Sequence, residues 1–195
     1  MPSEAFDEGY FERFYERPAT RVYGKKEIAR LARGVTGLIA WLGGEVESVL
    51  DVGAGTGLWR DWLARHRPEV RYRSIDVSQY ACERYGHEHR DIATWRERAS
   101  YDLVVCQGVL PYLEDAACAQ AIENIAAMAG GFLFLEAITA RDLREVCDLE
   151  STDAKVHPRT GDWYRKLLAR HFITVGGGLF YVKGGEVRFY ELEMS

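Results

Sequence analysis

The stretch VLDVGAGTGLW at 49–59 sets an aspartate, Asp51, two residues ahead of three closely spaced glycines, Gly53, Gly55 and Gly57, at the end of a short apolar run. Glycines between a strand and a helix let a ligand approach the backbone, because no Cβ stands in the way. The dinucleotide fingerprint requires G-x-G-x-x-G. Here the spacing is G-x-G-x-G, and Leu58 holds the place of the third glycine. A pyrophosphate seated there would also lie close to the Asp51 carboxylate, an unfavourable like-charge contact. A ligand carrying an ammonium and a sulfonium reverses that sign.

Two other side chains are candidates for moving or holding a proton. Glu136 closes the apolar run GFLFLEA, where burial would raise its pKa or demand a partner. It reads either as a substrate-orienting acid or base, or as half of an ion pair with an arginine such as Arg141. His157, in KVHPRTG, belongs to a long polar loop, where a substrate-facing histidine could take a proton; a solvated loop histidine is the plainer account. His66, His87, His89 and His171 read as surface or core residues. The acidic pair Glu114-Asp115 starts a helix more simply than it holds a cation, so no metal is expected. Cys82, Cys106, Cys118 and Cys147 stand far apart without CxxC pairing, which argues against a zinc site and for reduced thiols in a cytoplasm. Cys106 ends an apolar run and reads as a small core residue.

The elements that must position these groups alternate. SVLDV (48–52) is a buried strand and LWRDWLARH (58–66) an amphipathic helix through Leu58, Trp62 and Leu63. RYRSIDV (71–77) is a second strand, followed by a helix over 79–85 and a short strand near 87–90. YDLVVCQ (101–107) is a buried fourth strand. A helix over 115–129 is expected to stop at Gly130-Gly131, with GFLFLEA as the fifth strand. Such a rhythm implies right-handed crossovers and a parallel sheet covered on both faces. Beyond it come a helical turn in DLREVCDLE, a loop over 151–161 and a helix in DWYRKLLARHF. FITVGGGLFYV and EVRFYELE then read as a terminal antiparallel hairpin turning at Gly184-Gly185. The chain up to about Leu42 looks helical, which gives one domain with a helical cap over 1–45 and a core over 46–195.

With 195 residues, 47% hydrophobic and 28% charged, the chain suits a single globular domain. Its net charge of -5 and the absence of a Lys/Arg cluster speak against nucleic-acid or anionic-membrane partners. The opening MPSEAFDEGYFERFYERP is charged and aromatic, unlike a secretory signal, and no apolar run approaches the ~20 residues of a membrane span.

DVGAGTG, Asp51 through Ala54 to Gly57, resembles the first motif of the class I S-adenosylmethionine-dependent methyltransferases. The resemblance implies a doubly wound, mainly parallel seven-stranded α/β sheet with a C-terminal antiparallel hairpin and an N-terminal helical lid. It also implies that Asp76, ending SIDVS, accepts the ribose hydroxyls, with Val77 against the adenine; a helix N-cap is the alternative role. Asp91 in HRDIATW would accept from the adenine amino group, with Ile92 packing on the base, unless it merely caps the next turn. Backbone carbonyls at Cys106 and Gln107 would receive the methionine ammonium, and Gln107 or Gly108 would border the methyl group. QGVLPY departs from the N/D-P-P-Y found in branches that methylate nucleic-acid bases or protein glutamines. Tyr112 within it either faces substrate or packs.

YFERFYERPATRVYG (10–24) reads either as a helix on the sheet or as the lid implied by the resemblance, with Tyr15 and Arg21 at the cofactor's carboxylate end. Together these readings point to transfer of a methyl group from S-adenosylmethionine, leaving S-adenosylhomocysteine, to oxygen or nitrogen of a small molecule, by a monomer or homodimer. A nicotinamide-dependent oxidoreductase and an inactive cofactor-binding scaffold are the rival classes.

Overall fold

The computed structural model describes residues 5–194. At its centre is a seven-stranded sheet ordered β3-β2-β1-β4-β5-β7-β6. The strands are β1 (Ser48–Val52), β2 (Arg71–Asp76), β3 (Glu88–His89), β4 (Tyr101–Gln107), β5 (Ala129–Glu136), β6 (Phe172–Gly176) and β7 (Leu179–Val182), and the short helices α4 (Gln79–Tyr85) and α6 (Ala140–Glu145) follow β2 and β5. The first five run parallel; β7 pairs antiparallel with both β5 and β6.

Side-chain alternation along the central strands feeds two cores. Leu50, Val52, Val104, Cys106, Leu133 and Leu135 face one side, where they meet α5 (Asp115–Met128) and α7 (Gly161–Leu168). Val49, Leu103, Val105, Phe132 and Phe134 face the other, against α2 (Lys25–Trp41) and α3 (Leu58–His66). Period two along a strand and near-zero exposure at both sets of positions are what a sheet covered on both faces requires. In α2 the residues Ile28, Ala32, Val35 and Ile39 recur at helical spacing on the buried stripe. So α2 is a core helix that shares its packing with β1, β4 and β5. The expected cap over 1–45 is divided: most of α2 packs on the face of the sheet, while the strand ends are covered by Ile28 of its first turn and by the segment 5–24 before it. That segment is one α-turn, α1 (Glu8–Phe11), continued by a π-helical turn, Glu12–Glu16, which buries Phe11 and Phe14.

Two other expectations are corrected. Gly130-Gly131 do not stop the helix; α5 ends at Met128 and Ala129 is already extended, so both glycines lie inside β5. There a Cβ on Gly131 would stand 2.8 Å from the Asp102 carbonyl oxygen, at the irregular register between β4 and β5. The hairpin turns at Gly176, Gly177 and Gly178, whose φ angles of 126°, 58° and 82° reverse the chain, and not at Gly184-Gly185. FITVGGGLFYV is therefore both strands. EVRFYELE leaves the sheet and covers β7 instead: Phe189 packs on Tyr181, and the Val187 N–H donates to the Tyr181 hydroxyl at 3.1 Å. Among the described residues no helix is long and apolar enough to cross a membrane.

Candidate active site

The sheet order reverses between β1 and β4, and α/β sheets take ligands at the carboxyl ends of the strands beside such a switch. Asp76 and Gln107 end β2 and β4; Glu136 ends β5 in register with Gln107. The glycine loop crosses this edge after β1. Its backbone is tied down: the Gly53 and Ala54 N–H groups donate to the Ile75 carbonyl at 2.9 and 3.1 Å, and the Gly55 N–H donates to Asp76 Oδ2 at 2.9 Å. His87 clamps the same turn from below, with Nε2 2.9 Å from the Gly55 carbonyl oxygen and Nδ1 2.9 Å from Ser74 Oγ. Burial lowers its pKa. This buried histidine, assigned no role from sequence, fixes the loop. Gly53, Gly55 and Gly57 all have positive φ, and a Cβ on Gly53 would strike Val109 Cγ2 at 2.2 Å.

Two adjoining cavities open over this edge. The first is walled by Gly53, Gly55, Asp76, Val77, Asp91 and Ile92, and roofed by Phe6, Tyr10, Phe11 and Tyr15. Asp76 is 7% exposed; besides Gly55 it accepts from the Ser78 N–H at 2.8 Å, and burial raises its pKa against those bonds. The helix-capping role falls to Ser78, whose Oγ accepts from Ala81 N at 3.1 Å. Asp91 does cap locally, taking the Ala93 N–H at 2.8 Å, while also lining the cavity. The turn that carries it is pinned by buried Asn124 of α5, which donates to the Ile92 carbonyl at 2.8 Å.

The second cavity is wider. Asp51, Gly53, Ala54, Gly55, Gln107 and Gly108 form its floor, with Tyr10, Tyr15, Tyr23, Trp59, Tyr112 and Glu136 around them. Asp51 is buried, and its Oδ2 accepts from the Tyr72 hydroxyl at 2.6 Å. Desolvation pushes its pKa from 3.8 to about 7, with the Tyr72 bond opposing, nearby Asp76 reinforcing, and Arg60 opposing. Among the described residues Glu136 pairs with no arginine: Arg141 bonds Glu145 instead. The Tyr23 hydroxyl donates to Glu136 Oε1 at 2.7 Å, the Gln107 amide reaches Oε2 at 3.4 Å, and Trp59 Nε1 donates to Gln107 Oε1 at 3.1 Å. The hydroxyls of Tyr10 and Tyr112 lie 2.9 Å apart across the two cavities. Burial raises the pKa of Tyr10, Tyr15, Tyr23 and Tyr112, so all four are neutral donors at ordinary pH.

Four expected residues do not line either cavity. Arg21 is exposed and lies against the Gly24 turn. His157 is exposed, and its backbone N–H donates to the Pro111 carbonyl at 2.8 Å. The Cys106 side chain points into the core beneath β4, as expected of a small core residue, because alternation along the strand aims it with Val104; its expected site role lies with the backbone carbonyl. Gly57 serves as the left-handed N-cap of α3. Conversely, Tyr10, Tyr23 and Trp59 were not singled out individually: an aromatic in an amphipathic pattern gives no sign of whether it packs or lines a hollow. Among the described residues no cluster of three or more His, Cys, Asp or Glu is arranged to hold a metal ion.

Residues 23–175 match a family model described as a methyltransferase domain. No curated protein sequence matches. Among solved structures, the chain resembles the N-methyltransferase NodS from Bradyrhizobium japonicum WM9 in complex with S-adenosylhomocysteine, at TM-score 0.59 and 19% identity over 81% of this chain and 87% of that one. The plantazolicin methyltransferase BpumL with a pentazolic desmethyl analogue and S-adenosylhomocysteine gives 0.62 and 14%, over 86% and 68%. CalS10, an amino pentose methyltransferase from Micromonospora echinaspora, gives 0.51 and 23%, over 62% and 53%. At these identities the likenesses are of fold. With the family model spanning most of the chain, and a glycine loop and carboxylates at the strand edge of that fold, this chain belongs to the class I S-adenosylmethionine-dependent methyltransferases.

Proposed function

We propose that the enzyme methylates oxygen or nitrogen of a small molecule, with the cofactor's nucleoside in the first cavity and its amino-acid end and the acceptor in the second. The observation that carries this reading is a buried carboxylate at the end of each of β1 and β2, joined by a glycine loop whose Cβ-free face lines both cavities. The residues suit such a ligand. Asp76 spends one lone pair of each oxygen on backbone N–H groups, which leaves acceptor capacity for two ribose hydroxyls. Val77 and Ile92 offer apolar walls for a purine, and the Asp91 carboxylate sits beside them for its amino group. Asp51 supplies negative charge for an ammonium.

Bound S-adenosylmethionine supplies an already activated methyl group, so the protein's contribution is alignment and exclusion of water. Gln107 and Gly108, shared by both cavities, border the passage between them. Tyr10 and Tyr112 close the roof through their paired hydroxyls, and Glu136 orients the acceptor or takes its proton when the acceptor arrives protonated. Support for a small-molecule acceptor comes from the net charge of -5, from the aromatic lining of the second cavity, and from NodS, BpumL and CalS10 as named above.

Calorimetric titration with S-adenosylmethionine, S-adenosylhomocysteine and NAD tests the reading. Both adenosyl ligands should bind and NAD should not. Asp76→Ala should weaken the homocysteine ligand by about 2–4 kcal/mol, the loss of charge-assisted bonds. An unchanged dissociation constant in a folded variant would show the ribose to lie elsewhere, and tight, salt-dependent RNA binding would contradict the small-molecule assignment.

A further inference from the structure

The second cavity has a one-sided charge. Four of the side chains that line it are carboxylates, Asp51, Glu136, Asp142 and Asp153, and none of the described residues lining it is Lys, Arg or His. Asp51 lies under the glycine loop, at the donor's end. The other three come from β5 and the chain that follows it, on the far wall, and all three are half-buried. Asp142 is held by the Thr139 N–H and hydroxyl, at 2.9 and 2.8 Å, and Asp153 by the Lys155 N–H at 2.9 Å. Between them stand neutral tyrosine hydroxyls and apolar surface from Phe14, Ile28, Pro111 and Ile138. An anionic acceptor would meet only repulsion on this wall. A cation gains from the carboxylates and from the aromatic faces together.

Glu136 is the carboxylate best placed to receive it. Its strand register sets it beside Gln107, which borders both cavities, and Tyr23 and Gln107 fix its two oxygens while leaving a lone pair on each. We infer that the methyl acceptor is an amine that enters as an ammonium attached to an apolar group, and that Glu136 receives that ammonium. This rests on the methyl-transfer reading above and narrows it from oxygen or nitrogen to nitrogen. In the reaction Glu136 takes one proton from the ammonium. The electron pair left on nitrogen forms the new N–C bond as the S–C bond of the donor breaks, with its pair retained by sulfur. The product is the N-methylated ammonium, and Glu136 returns its proton to water.

Calorimetry on the full chain tests this in two stages. Affinity for S-adenosylhomocysteine is measured first, without amine; its absence overturns the methyl-transfer reading itself. The saturated protein is then titrated with 2-phenylethylamine and cyclohexylmethylamine, and with 2-phenylethanol and 3-phenylpropanoate as neutral and anionic counterparts. The amines should bind at least about tenfold more tightly than the alcohol, and the carboxylate not at all. Glu136→Gln should weaken the amines about tenfold or more while shifting S-adenosylhomocysteine affinity less than about threefold. Asp153→Asn, in a loop, should give a smaller loss of the same sign, and it carries the test if Glu136→Gln fails to fold. Amines that do not bind, an alcohol or carboxylate that binds as well as they do, or amine affinity unchanged in the variants would overturn the inference.

Discussion

Asp51 shows how one buried carboxylate couples ligand charge to pH. It shares a strand face with Val49, so alternation along β1 drives it into the apolar side of the sheet, where the Tyr72 hydroxyl at 2.6 Å is its hydrogen-bond partner. Burial holds its pKa at about 7, against 3.8 ordinarily. The sign follows directly. Between these two values the folded protein binds a proton that the unfolded chain has released, so the Asp51 contribution to stability falls as pH rises from about 4 to 7. In the proposed placement of the cofactor, its cationic end beside Asp51 would favour the charged form and expel that proton. S-adenosylmethionine affinity should therefore rise with pH, by up to about tenfold per unit, and level off above 7. Titrations in buffers of different ionisation heat would count the proton released, and Asp51→Asn should flatten the profile. A wild-type affinity independent of pH between 5 and 7 would remove Asp51 from the binding site.

At the level of elements, the turn after β4 depends on an arginine far away in sequence. The 3-10 turn Leu110–Tyr112 presents Tyr112 to both cavities. Beneath it lies Arg159, 6% exposed, which donates to the carbonyls of Leu110 and Leu113 and, at 2.7 Å, to Asp115. Its guanidinium also stacks 4.7 Å from the Trp163 ring. Arg159→Met keeps the stem but leaves two carbonyls without this donor. It should cost about 2–4 kcal/mol in urea denaturation, more than a surface ion pair could account for. An unchanged midpoint would mean that water replaces the guanidinium. Elements of this kind were partly legible in advance. The helix over 58–66 and the strands over 48–52 and 101–107 follow from hydrophobic period alone, whereas Gly130-Gly131 read as a helix stop but lie inside β5, and Gly176–178 read as strand but form the hairpin turn. Glycine marks a turn and a close backbone approach alike, and only the neighbouring strand distinguishes them.

Across the whole molecule, residues 5–22 form a roof that the family model, beginning at residue 23, does not include. The roof is anchored by a few long-range contacts: Tyr10 to Tyr112 at 2.9 Å, Tyr85 to Glu16 at 2.8 Å, and Phe11 against the ring of Tyr80 at 5.6 Å. The two sheet cores contain none of its side chains. Loosening the roof should therefore leave global stability nearly intact and act on ligand exchange. Phe11→Ala, which removes a side chain only 3% exposed, should speed S-adenosylhomocysteine dissociation at least about tenfold in stopped-flow fluorescence, with the thermal midpoint of the sheet little changed. An unaltered off-rate would make the roof a passive covering.

The alternating α/β order and the placement of the carboxylates Asp51, Asp76 and Glu136 at the ends of strands were legible in residue order, and the resemblance of DVGAGTG carried the cofactor family. Each depends on local spacing: an apolar period, a glycine triplet, an acid at the end of a run. Which groups meet across the cavity did not follow. Tyr23 and Glu136 are brought to 2.7 Å from 113 residues apart, and Tyr10 and Tyr112 to 2.9 Å from 102. His87 clamps a turn 32 residues upstream, while Arg21 and His157, both plausible as isolated residues, face away. Side-chain partners at that separation are set by how helices and strands pack, and packing depends on the shape of the whole chain rather than on any window of it.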